Sequence, residues 1–173
     1  MTPMELIGVR LDIAGNIPVV FLREREGERR LLPIYIGTPE ASSIQWALDG
    51  REAPRPLTHD LIINLLGALG AVLDQVVITS VDEGTFFADL HIQTRSGPIV
   101  LSSRPSDAIA VAVRAGCTIY CEDEVLDVAG KVVEVEESES DELGGVGSDL
   151  ATDDLVDEFR DFIESINPED FQS

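Results

Sequence analysis

The chain has 173 residues, 44% of them hydrophobic, which suits one globular domain with an appendage. Its formal net charge of −21 is uneven: residues 1–131 hold 11 Lys/Arg against 18 Asp/Glu, and residues 132–173 hold one Arg against 15 acids. That balance argues against a basic nucleic-acid-coating protein, no apolar run is long enough to span a membrane, and two cysteines are too few for a disulfide framework.

In chain order, Met1 to Arg10 lacks the basic-then-apolar pattern of a secretory signal. Ile7, Val9, Leu11 and Ile13 alternate with polar or small residues, the period of a strand with one buried face. A second strand is expected from Val19 to Arg23, then a charged hairpin tip over Arg23–Arg30 and a mostly apolar strand from Leu31 to Ile36, buried on both faces. Thr38-Pro39-Glu40 predicts a helix start: Thr as cap, Pro in the first turn, Glu at the positive end of the dipole. That helix should run to about Leu48 and stop at Asp49-Gly50.

After a loop over Arg51–Pro56, Thr58 is placed to cap a helix from His59 to about Leu73. Ile62, Leu65, Leu66, Leu69 and Leu73 recur at helical spacing, and Leu61 and Ile63 widen the stripe, so this helix is expected to be deeply buried. Strands follow at Gln75–Val81, around Phe86–Ile92 and at Ile99–Ser102, then a helix over Ala108–Arg114 and a strand over Thr118–Cys121. Val125 to Val135 reads as a last hairpin around Gly130. Residues 136–150 form an acidic flexible linker, and residues 151–173 carry an amphipathic helix with the stripe Leu155, Val156, Phe159, Phe162, Ile163 and Ile166.

Sliding the sequence over itself by 66 positions sets Pro39 on Pro105, Gly50 on Gly116, Arg29 on Arg95 and Phe21 on Phe87. The expected fold is therefore α+β over residues 1–135: internally duplicated β-β-β-α units around a central buried helix, with mixed or antiparallel sheets. Duplicated units tend to pack together and bring equivalent turns to one surface.

The chain has no Walker lysine motif, GxGxxG fingerprint, GxSxG elbow or HExxH pair. Lys131 is its single lysine, and Cys117 and Cys121 fit neither a CxxC pair nor a zinc set, so two unpaired thiols in a reducing cytoplasm are expected. Arg104 stands where the first copy has Thr38, a cation at the positive end of a helix. It either pairs with Asp107 or, with the free N–H groups of the helix start, holds phosphate. Glu40 and Asp107 either complement helix dipoles or converge on a divalent cation, Mg2+ or Mn2+. His59 beside Asp60 is either a solvated helix start or a general base or metal ligand. His91 reads as solvated, and no aromatic platform for base stacking is evident.

Four separated motifs occur in order: Met4-Glu5-Leu6, Leu32-Pro33-Ile34-Tyr35-Ile36-Gly37 with Glu40-Ala41, Arg55-Pro56-Leu57-Thr58-His59-Asp60-Leu61, and Ser103-Arg104-Pro105-Ser106-Asp107-Ala108-Ile109-Ala110. Together they resemble the bifunctional nuclease domain family over about residues 4–130. The resemblance implies a soluble mixed α/β domain that cleaves DNA and RNA phosphodiesters and forms oligomers, commonly dimers. It carries Glu40, His59, Asp60, Arg104 and Asp107 as motif members, with roles open. Two other expectations stand beside hydrolysis. One is a non-enzymatic oligomeric interaction or regulatory protein, with the Leu155–Ile166 stripe docking on a partner. The other is a phosphate-ligand sensor at the Arg104 corner.

Overall fold

Alternating apolar residues build two three-stranded antiparallel meanders, each followed by a helix. The computed structural model describes residues 1–12, 15–51 and 53–132, which lie within one unit, Met1–Val133. The first meander is β1 (Thr2–Asp12), β2 (Ile17–Glu24) and β3 (Leu31–Tyr35), followed by α1 (Thr38–Leu48). Then comes α2 (Thr58–Ala68). The second meander is β4 (Val72–Asp82), β5 (Thr85–Thr94) and β6 (Gly97–Ser103), followed by α3 (Pro105–Ala115). Finally β7 (Thr118–Cys121) and α4 (Asp123–Ala129) close the described chain.

One mixed sheet of seven strands results, in the order β3-β2-β1-β7-β4-β5-β6. The short β7 joins the two meanders, antiparallel to β1 and parallel to β4. The α+β class is thus observed, with four helices and a mixed sheet among the described residues. Gly50 and Gly116, paired by the sequence offset, both adopt left-handed backbone (φ 63° and 67°) just past α1 and α3, a conformation that suits glycine.

The main hydrophobic core lies between sheet and helices and includes Met4, Val20, Leu22, Leu32, Ile44, Val76, Ile78, Ile109 and Leu126. The deeply buried helix is α3, which packs on α1, α2, β4 and β5. Ala108, Ala110 and Ala112 are the reason: without long side chains the helix backbone can approach its neighbours closely, and all three are buried.

Several expectations need correction. The helix α2 ends at Ala68, because Gly70 (φ 68°) turns the chain and Val72 already starts β4. It is not deeply buried either: Leu61, Leu65 and Leu69 are exposed, while Ile62, Ile63 and Leu66 face the core only in part. The strand β3 is an edge strand buried on both faces at Leu31 and Leu32, but one face opens through half-buried Pro33 to exposed Tyr35. In place of the hairpin around Gly130 stands α4, opened by Asp123 and Glu124 in its first turn, and only an isolated bridge joins Lys131 to Leu31. The helix caps are Gly37 and Leu57, one residue before the expected Thr38 and Thr58, and neither uses a side-chain hydroxyl. Ile13, Glu52, the end of the expected hairpin, the acidic linker and the C-terminal helix lie outside the described residues.

Candidate functional site

Three helix starts meet at one corner, and each places an acid at its third position: Glu40 on α1, Asp60 on α2 and Asp107 on α3. Each carboxylate complements the positive end of its own helix. Asp60 does more: its Oδ2 accepts the N–H of Leu57 at 2.8 Å, half of a capping box. Local helix physics thus accounts for the acids. It does not account for what they face.

Arg104, the residue before α3, links two of the helix starts. Its Nε and Nη2 donate to Asp107 Oδ2 and Oδ1 at 2.7 and 3.0 Å, a side-on fork. The same Nη2 donates to Glu40 Oε1 at 2.8 Å. Among the described residues, Nη1 makes no hydrogen bond. The Arg104 side chain is 65% exposed, so this cation is open to solvent although two carboxylates hold it. Those carboxylates raise the guanidinium pKa above its already high ordinary value. Glu40 folds back over Gly37, where an added Cβ would collide with Glu40 Oε2.

Behind Arg104 lies a polarised chain. His59 Nε2 sits 3.2 Å from Asp107 Oδ1, and His59 Nδ1 sits 2.8 Å from Ser43 Oγ. Arg114 Nη2 donates to Ser43 Oγ and to the Ser43 carbonyl at 3.1 and 3.2 Å. Arg114 Nε donates to Asp60 Oδ1, and Nη1 to the Ala110 carbonyl at 2.9 Å. Partner chemistry assigns the histidine tautomer. An ionised Asp107 only accepts, so the imidazole carries a proton on Nε2 facing it, and in the neutral tautomer this leaves Nδ1 to accept from the Ser43 hydroxyl. Burial pushes the Asp107 pKa up, but the hydrogen bonds from Arg104 and His59 outweigh it and hold the carboxyl below its ordinary value. The Arg114 hydrogen bond does the same for Asp60 against a burial penalty, with help from the Leu57 N–H.

All five residues expected from the motifs therefore join one hydrogen-bonded network. Arg104, Asp60 and Asp107 are open to solvent, with side chains 65%, 34% and 31% exposed, whereas the His59 side chain is 9% exposed. Ser43 and Arg114 were not anticipated. Arg114 stands seven residues after Asp107, two helical turns away on the same face of α3, and that spacing was the available signal. Ser43 gave none, because a small polar residue in a helix is unremarkable until its neighbour is known.

The carboxylates are not arranged as a ready metal cage. Among the described residues no group of three or more His, Cys, Asp or Glu could hold an ion. Glu40 and Asp107 share a guanidinium, and both oxygens of Asp60 are taken by Arg114 and Leu57. Elsewhere, Cys121 is buried with its thiol pushed up to about 12 by that burial, which makes it inert as a nucleophile, and Cys117 is a second free thiol. No helix among the described residues is long and apolar enough to cross a membrane.

Comparison with known proteins gives this corner a family. Two uncharacterized proteins of Mycobacterium tuberculosis, MT1877 of strain CDC 1551 and Rv1829 of strain H37Rv, are each 42% identical over 173 residues, covering 100% of this chain and 99% of their own. The bifunctional nuclease domain matches residues 20–134, a span that contains Glu40, Ser43, His59, Asp60, Arg104, Asp107 and Arg114. The chain belongs to the bifunctional nuclease domain family.

Proposed function

We propose that the chain is a nuclease that hydrolyses phosphodiester bonds of DNA and RNA at the Arg104–Asp107 corner. One observation carries the reading: an exposed guanidinium, held in a fork by two carboxylates, stands within a network linking three helix starts in a family named for nuclease activity. Exposed ion pairs are worth little, so phosphate oxygens can replace Glu40 or Asp107 on Arg104 at small cost. Once Arg104 turns to phosphate, Asp107 loses a restraint on its basicity and can accept a proton from water. Attack on DNA requires water as nucleophile, because DNA lacks the 2′-hydroxyl. Water oxygen then bonds phosphorus, the P–O bond to the leaving sugar oxygen breaks, and that oxygen takes up a proton from solvent. Buried His59 and Ser43 fix Asp107 rather than touch substrate.

Mg2+ or Mn2+, if bound near Glu40, Asp60 or Asp107, would add phosphate-charge neutralisation to this corner. The net charge of −21 opposes polyanions, which makes cleavage weak and sensitive to salt and divalent cations. The test is hydrolysis of fluorescent DNA and RNA by chromatographically clean full-length protein, with Mg2+, Mn2+ or EDTA. Cleavage of both polymers that falls in Asp107→Asn supports the reading. No cleavage in any of these conditions ends it.

A specific observation favours association with a second copy as well. Leu61 and Leu65 on α2, Leu69 just past its end, and Ile99, Val100 and Leu101 on the edge strand β6 are all exposed. Such apolar faces and an unpaired strand edge suit an interface. We therefore propose a homo-oligomer, a dimer first, measured by light scattering. The non-enzymatic alternatives, a regulatory scaffold using the Leu155–Ile166 segment or a phosphate sensor, are distinguished by deleting residues 136–173 and by phosphate binding without turnover. We also read the two β-β-β-α runs as a duplicated unit. The two free thiols are in keeping with a reducing compartment such as the cytoplasm.

A further inference from the structure

The face of α1 turned away from Ser43 and Glu40 borders a second concavity. It is an open groove of about 370 Å³ between α1 and the β1–β2 hairpin, walled by Val9, Leu11, Pro18 and Trp46 with Arg10 and Arg51 beside them. The size lies within the range of small-ligand sites, roughly 300–1,000 Å³. Trp46 is 37% exposed, so part of its indole is open to a ligand. Arg10 is exposed and donates Nη1 to the Val9 carbonyl at 3.2 Å. Arg51, also exposed, donates Nε to Asp49 Oδ2 at 3.0 Å, and Asp49 in turn accepts from Gln45 Nε2 at 2.7 Å. The sequence showed no aromatic platform, but here a partly exposed indole lines the same groove as two arginines.

We propose that this groove takes an unstacked nucleotide of a single-stranded nucleic acid, its base on the Trp46 indole and its flanking phosphates on Arg10 and Arg51. The inference rests on the nuclease reading and adds a substrate class to it: single strands in preference to duplex. Three arguments carry it. Base–indole stacking is insensitive to sequence and needs a base out of its duplex stack. Two arginines on an acidic chain complement phosphate, and the exposed Arg51–Asp49 pair exchanges partners readily. Glu40, on Arg104, and Trp46 are six residues apart on one helix, roughly 9 Å along its axis. They lie on different faces of α1, so a single strand of several nucleotides that passes the Arg104 corner and bends around α1 can reach from one to the other. Gln45 and Asp49 supply an amide and an acceptor for base edges or sugar hydroxyls.

The chain has one Trp, so its emission reports Trp46 alone. The test titrates full-length protein in EDTA with a phosphorothioate oligothymidylate, with the same strand annealed to its complement, and with inorganic phosphate. Saturable change of the Trp emission by the single strand, and none by duplex or phosphate, is the expected result. Anisotropy of a labelled single strand then measures affinity in variants: Trp46→Leu weakens it roughly tenfold, Trp46→Phe much less. Arg10→Ala and Arg51→Ala, at exposed positions where folding is not at stake, each weaken it and flatten its salt dependence. Saturating binding with unchanged Trp emission, equal response to duplex, or wild-type affinity in Trp46→Leu would overturn the proposal. Cleavage is read separately. Hydrolysis with a silent Trp46 sinks the groove and spares the nuclease, whereas Trp46 engagement without hydrolysis does the reverse.

Discussion

Two arginines in this molecule each hold two carboxylates, and their difference is instructive. Arg30 donates Nη2 and Nε to the two oxygens of Glu24 at 2.9 and 3.2 Å, and Nη1 to Asp127 at 2.7 Å. Glu24 also accepts the Arg30 N–H at 2.8 Å, and its side chain is 4% exposed. Arg104 makes nearly the same set of bonds to Asp107 and Glu40, yet stands in solvent. The sealed Arg30–Glu24 pair can only close the hairpin, with exposed Asp127 tying it to α4. An open pair can change partners. Identical chemistry is therefore structural at one place and available for substrate at the other, with solvent access deciding between them.

Arg30→Ala should have the largest effect. It strands a buried carboxylate and should cost about 3–5 kcal/mol of stability, read as a lowered denaturation midpoint. A loss below about 1 kcal/mol would mean that Glu24 finds water and that the two sites are alike. Arg114→Met comes next, at about 2 kcal/mol, because it removes charge-assisted bonds to Asp60 and Ser43. Chemical denaturation measures it, and cleavage should fall as well, since the Ser43–His59–Asp107 chain loses its anchor.

Acid should separate the sites further. Arg30 holds the Glu24 carboxyl below its ordinary value, and Asp60 and Asp107 are lowered too. A lowered folded-state pKa adds stability that is complete above the unfolded value and lost as pH falls through the folded one. Thermal midpoints should therefore owe no loss to these groups between about pH 7 and pH 5, and should drop below about pH 4. Removing Arg30 should shrink that drop, because a buried Glu24 without its cation gains no stability from ionising, so wild type and variant should converge as pH falls. The smallest effect belongs to Gly37→Ala, about 0.5–1 kcal/mol at a cap position where Gly is favoured over Ala. The added Cβ displaces Glu40 from over Gly37, so substrate affinity should change more than the midpoint does.

The sequence made part of this legible. Aligning Thr38 with Arg104 singled out the one helix start carrying a cation of the wrong sign, and that residue does link the helix starts. What periodicity could not supply was cover. The stripe on α2 is a regular apolar face, but spacing does not say whether a neighbour lies on it, and Leu61, Leu65 and Leu69 are left exposed. Conversely, α3 is short and rich in alanine, and its depth follows from how closely its backbone approaches α1 and α2. Val125 to Val135 read as a hairpin around Gly130, while the acids at Asp123 and Glu124 favour the start of α4. The Ser43–His59 contact crosses from one helix to another and has no local signature.

The most direct measurement pairs two readouts on one variant, Arg104→Ala, beside wild type prepared identically. An open, exchangeable ion pair predicts a midpoint within about 1 kcal/mol of wild type and a fall in DNA and RNA cleavage of about a hundredfold or more. Unchanged cleavage, or a loss fully explained by unfolding, would contradict it and leave Arg104 as a second Arg30.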